Sequence, residues 1–77
     1  MDELKLYYLP TCPFCLKVLR FMEGKNLPVA LLSTNEPANH DYLVSHGGKG
    51  QVPCLFIGEQ ALYESSDIIA YLKERFC

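Results

Sequence analysis

Two thiols three positions apart, in Cys12-Pro13-Phe14-Cys15, are the residues whose types and spacing could do chemistry. That chemistry is thiol–disulfide exchange, in which a thiolate attacks a disulfide sulfur and a second thiol resolves the product. Pro13 suits the first turn of a helix, because its fixed φ is already helical and its missing N–H is one the helix leaves unpaired. Cys12 then falls at the N-cap, where free amides and the positive end of the helix dipole stabilise a negative sulfur. Thiols in such dithiol motifs fall from a pKa of about 8.5 to roughly 3.5–7.5. Cys12 is therefore the expected nucleophile. Cys15, one turn on, is the expected resolving thiol.

The elements that must position this pair follow from apolar patterning. A first strand is expected over about residues 4–9 and a helix from Pro13 to about Glu23, stopped by Gly24. Leu27-Pro28-Val29-Ala30-Leu31-Leu32 is a continuous apolar run, which predicts a second strand covered on both faces. A weaker helix is expected from Pro37 to about Ser45, with Ala38, Tyr42 and Leu43 inward and Gly47-Gly48 as the break. Val52–Ile57 and Ala61–Tyr63, joined by Gly58-Glu59-Gln60, read as a hairpin. In the last helix, from about Ser65, Ile68, Ile69, Leu72 and Phe76 recur at helical spacing. The order β-α-β-α-β-β-α, with a right-handed first crossover and a final hairpin, predicts an α/β fold: a four-stranded mixed sheet between helices on both faces.

A Cys-x-x-Cys pair can also be half of a structural zinc site, which needs two more ligands at similarly close spacing. Cys54, Cys77, His40 and His46 are scattered and form no second pair, so no metal is expected. A disulfide framework is disfavoured, because no secretory signal precedes the motif and 49% hydrophobic residues suffice for a core. The 77 residues are expected to form a single domain, 1–77, of modest stability. The net charge of −2 provides no basic stripe for nucleic acid. No apolar run approaches the roughly 20 residues of a membrane span. A cytoplasmic monomer with thiols reduced at rest is the expectation.

Taken together, Cys12-Pro13-Phe14-Cys15, Val52-Pro53 and Glu64-Ser65-Ser66-Asp67 resemble the glutaredoxin family, which has a thioredoxin-like three-layer fold. The stretch Leu62–Leu72 is more similar to the N-terminal domain of glutathione transferases. The resemblance implies a glutathione-dependent oxidoreductase, with glutathione as co-substrate and protein disulfides or glutathionylated proteins as partners. It implies catalytic Cys12 and Cys15, and a glutathione site of Thr11, Phe14, Gln51, Val52, Pro53, Glu64, Ser65 and Ser66. It also implies a cis peptide at Pro53, which would place the Val52 backbone beside the active sulfur for pairing with extended glutathione. The N–H groups of Ser65 and Ser66 suit a carboxylate and Glu64 an ammonium, as the γ-glutamyl end of glutathione carries.

Two departures from the glutaredoxin pattern bear on the site. The lysine many members carry three residues before the first cysteine is here Leu9, and the glycine pair before the acidic residues is replaced by Tyr63-Glu64. Lys49 and Gln51 become the candidate partners for the glycyl carboxylate. Cys54 is expected to be a small buried hydrophobe. Cys77 is expected to be exposed, His40 and His46 to be surface residues without partners, and Phe14 to be a partly exposed apolar contact. Other functions consistent with the sequence are a redoxin recycled by thioredoxin reductase and a non-enzymatic [2Fe-2S] or metal carrier. A conventional transferase is a weaker reading, since 77 residues leave no room for its helical second domain.

Overall fold

The computed structural model describes residues 3–76. Its elements are β1 (Leu4–Tyr8), α1 (Pro13–Met22), β2 (Val29–Ser33), α2 (Pro37–Gly47), β3 (Cys54–Ile57), β4 (Gln60–Tyr63) and α3 (Ser65–Phe76). The four strands form one sheet in the order β2-β1-β3-β4. β1 pairs in parallel with β2, Leu4 opposite Val29, and antiparallel with β3, Leu6 opposite Leu55. This is the mixed three-layer, thioredoxin-like fold expected from the element order.

Strand alternation divides the core between the two sheet faces. On one, Leu4, Leu6 and Leu55 pack with Val18 of α1 and with Ile68 and Leu72 of α3. On the other, Tyr7, Cys54 and Phe56 pack with Leu43 of α2. Tyr7 stacks on Tyr42 at 5.6 Å between ring centroids, and Phe56 meets both rings edge-on. Cys54 is fully buried in this layer.

Several local expectations are corrected. β2 is an edge strand and is not covered on both faces: Ala30 is exposed and Leu31 is 49% exposed. It begins at Val29, beyond Pro28. α2 runs on through His46 and Gly47 before Gly48 turns left-handed at φ 88°, and Ala38 faces outward. β3 starts at Cys54, because Val52-Pro53 forms a bend ahead of it. The hairpin turn is only Gly58-Glu59, with Gly58 at φ 63°. His46 is exposed but partnered, stacked on Tyr42 at 3.8 Å with Nδ1 3.1 Å from the Tyr42 carbonyl. The expectation for Cys77 lies outside the described residues.

Candidate active site

β1 delivers the chain to the dithiol through Leu9. The Leu9 carbonyl accepts the Cys12 N–H at 3.1 Å, while the Leu9 N–H donates to Cys15 Sγ at 3.4 Å. One residue thus holds the backbone of the first cysteine and the sulfur of the second. Cys12 is the extended N-cap of α1 (φ −85°, ψ 121°), Pro13 begins the helix, and the Cys12 carbonyl accepts the Leu16 N–H at 2.9 Å. The helix ends where Glu23 caps it and Gly24 adopts φ 77°.

The two sulfurs occupy unlike environments. Cys12 is half-buried, and desolvation pushes its thiol pKa up. The Cys15 N–H, the Cys15 thiol and the Phe14 N–H outweigh that, so the net shift is downward from 9.0. These groups act without closing a side-chain capping hydrogen bond. The Cys15 thiol is fully buried, and desolvation is the main reason it rises to about 11. The N–H of Leu9 offsets only part of this, and the neighbouring Cys12 adds to the rise. Cys54 is also driven to about 11 by burial, which leaves its thiol protonated and inert.

Beside the helix start lies a groove of about 290 Å³ lined by Phe14, Lys17, Gln51, Val52, Pro53, Glu64, Ser65 and Ser66. Seven of these eight residues belong to the glutathione site expected from the sequence. The Val52–Pro53 peptide is cis. No intrachain hydrogen bond engages the Val52 N–H or C=O among the described residues, which leaves both available to an extended peptide. Glu64 is held left-handed at φ 73°, a conformation that costs a non-glycine residue about 1–2 kcal/mol. Its carbonyl accepts the Ile68 N–H at 3.0 Å and so starts α3. Ser65 is buried and Ser66 exposed, so the first amides of α3 border the groove.

Three expected positions lie elsewhere. Thr11 is exposed in the turn before Cys12 and does not line the groove. Cys12 is not a wall residue either, but stands at the helix terminus two positions before Phe14, which is. Lys49 is turned away: its Nζ lies 4.6 Å from the centroid of the Tyr63 ring, and its carbonyl accepts the Tyr63 hydroxyl. The cation in the groove is Lys17, which the sequence reading missed. Its signal was present, since Lys17 follows Phe14 by three residues and shares its side of α1. Among the described residues, no three metal-ligating side chains converge, and no helix is long and apolar enough to cross a membrane.

Comparison with known proteins matches these features to one family. Residues 6–77 match the family described as "Glutathione S-transferase, N-terminal domain". Prostaglandin E synthase 2 of Danio rerio is 38% identical over 72 residues, 92% of this chain and 19% of that protein. The probable glutathione transferase omega-2 of Caenorhabditis briggsae is 30% identical over 74 residues, 94% of this chain and 29% of that protein. The chain thus spans less than a third of either relative. The crystal structure of a thioredoxin-like protein, BC3987, superposes with a TM-score of 0.76 at 19% identity, covering 94% of this chain and 97% of that one. That likeness concerns the fold alone. With its family match running from Leu6 in β1 to the last residue, the chain belongs to the glutathione S-transferase N-terminal domain family.

Proposed function

We propose that this chain is a glutathione-dependent thiol–disulfide oxidoreductase of the glutaredoxin type, acting on protein–glutathione mixed disulfides and protein disulfides. The observation that carries the reading is the split between two adjacent thiols. Cys12 is lowered at a helix N-terminus beside a peptide-sized groove, and Cys15 is buried and raised to about 11 behind it. The family match and the omega-class relative support glutathione as the co-substrate.

In the proposed reaction, glutathione lies extended along Val52 with its γ-glutamyl carboxylate against the α3 amides at Ser65 and Ser66. Lys17 supplies the cation beside it and Glu64 an anion for the ammonium. The Cys12 thiolate attacks the glutathionyl sulfur of the mixed disulfide. The Cys12–glutathione disulfide forms, the original S–S bond breaks, and the protein thiolate leaves and takes a proton from water. A second glutathione thiolate then attacks the bound glutathionyl sulfur, releasing oxidised glutathione and the Cys12 thiolate. In the dithiol route, Cys15 loses its proton and attacks Cys12, expelling glutathione thiolate and leaving a Cys12–Cys15 disulfide.

The test is turnover of a glutathione mixed disulfide with NADPH, glutathione reductase and varied glutathione. Activity that vanishes in Cys12→Ser and survives in Cys15→Ser supports the reading. Substantial activity in Cys12→Ser, or none in wild type, rejects it.

A further inference from the structure

A mixed disulfide has two halves, and the groove accommodates one of them. With glutathione along Gln51, Val52 and Ser65, the exposed side of α1 next to Cys12 lies outside that groove and is open to the polypeptide on the other sulfur. There the surface opens into a second depression of about 340 Å³ lined by Pro13, Leu16, Lys17 and Arg20. It shares Lys17 with the glutathione groove and begins one residue from the nucleophile. Pro13 and Leu16, the latter 36% exposed, give it an apolar rim, while Phe14, 63% exposed, lines the neighbouring groove.

Its charge is one-sided on a chain whose net charge is −2. Among the described residues no carboxylate lines the depression, and α1 has no acidic residue in its first turn. Lys17 and Arg20, three residues apart, lie on one side of the helix. Neither is ion-paired, the one salt bridge among the described residues being Lys5 with Glu3. The nearest acidic residue along the helix is Glu23, which shares with Arg20 the separate groove toward β2.

We infer that this face of α1 is the docking surface for the polypeptide half of the substrate, and that it selects glutathionylated cysteines flanked by aspartate or glutamate. The inference rests on the oxidoreductase reading and names its substrate class. An acidic flank meets two unpaired cations and an apolar rim, whereas a basic flank is repelled. The protein thiolate that leaves emerges beside the same cations.

The experiment compares kcat/KM of wild type, Arg20→Gln and Arg20→Glu on three substrates. Two are glutathionylated peptides that differ only in acidic or basic residues flanking the cysteine; the third is the mixed disulfide of glutathione and 2-mercaptoethanol. Arg20 lies outside the glutathione groove, so the small disulfide should turn over equally in all three proteins. Wild type should prefer the acidic peptide by roughly three- to tenfold at low salt, as expected for exposed charge pairs, with the preference shrinking as salt is added. Arg20→Gln should reduce the preference, and Arg20→Glu should abolish or invert it. Turnover of the small disulfide with equal kcat/KM on both peptides overturns the docking surface and leaves the oxidoreductase standing. Absence of turnover on all three substrates in wild type rejects both.

Discussion

The Tyr63 hydroxyl donates to the Lys49 carbonyl at 2.9 Å, tying together the two segments that lead into the groove at Gln51 and Glu64. Tyr63 ends β4 and directly precedes Glu64, while Lys49 lies two residues before Gln51. The approach is close enough that a Cβ at Gly47 would overlap the Tyr63 hydroxyl oxygen and come within 3.4 Å of Phe56 Cζ. The ring also lies beneath the Lys49 ammonium.

Tyr63→Phe keeps the ring and loses the hydroxyl. A loss of about 1 kcal/mol is expected, the usual net worth of one hydrogen bond, together with a few-fold rise in KM for glutathione and little change in kcat. Gly47→Ala should destabilise wild type by about 1–3 kcal/mol through overpacking, and by less in the Tyr63→Phe background. Urea denaturation of the four proteins reads the coupling. Strictly additive effects would show that the two residues do not constrain each other.

The thiols give the reduced protein a defined alkaline behaviour. Cys15 and Cys54 are raised by burial from 9.0 to about 11, so below pH 9 both are protonated folded or unfolded, and their contribution to stability is fully present. From pH 9 to 11 the unfolded chain ionises them and the folded chain does not, and stability falls. Tyr7 and Tyr63, raised mainly by burial, act in the same direction at higher pH. Cys12 has the opposite sign: its pKa is lowered, so its contribution is complete above pH 9 and is lost as pH falls through the folded value. The denaturation midpoint of the reduced protein should therefore drop between pH 9 and 11. The drop should be smaller once a Cys12–Cys15 disulfide removes Cys15 from titration. A midpoint flat across that interval would contradict the assignment.

Lys17 and Lys49 make opposite predictions for glutathione. Lys17 lines the groove, and Lys17→Gln should raise the KM for glutathione by roughly three- to tenfold, in line with the loss of a charge-assisted contact. Lys49 is folded over Tyr63, and Lys49→Gln should leave that KM close to wild type. Steady-state kinetics with varied glutathione separates them, and the reverse order would make Lys49, and not Lys17, the cation that meets glutathione.

Much of this arrangement was legible before any coordinates, because its determinants are local. Proline after the first cysteine, glycine after the first helix and the apolar period of α3 each act within a turn or two of chain. What was missed depends on distant neighbours. The run Leu27–Leu32 reads as a buried strand, yet its exposure follows from its place at the edge of the sheet, with β1 on one side and no further strand on the other among the described residues. Lys49 reads as a free loop cation, yet a tyrosine fourteen residues later captures its carbonyl. Lys17 and the stack of His46 on Tyr42 are different: both lie at helical spacings that a closer reading of the helix faces would have used.

The burial of Cys15 also sets a clock on the proposed reaction. Burial alone holds the Cys15 thiol above its ordinary range, so only a small fraction of it is ionised near neutral pH. After Cys12 has been captured in a mixed disulfide, the intramolecular attack must therefore wait for a rare deprotonation. During that interval the intermediate is open to any thiolate in solution that can reach the groove. The branching between glutathione and Cys15 becomes a race whose outcome shifts with pH and with external thiol concentration, so the depth of one sulfur determines how long the enzyme remains covalently loaded.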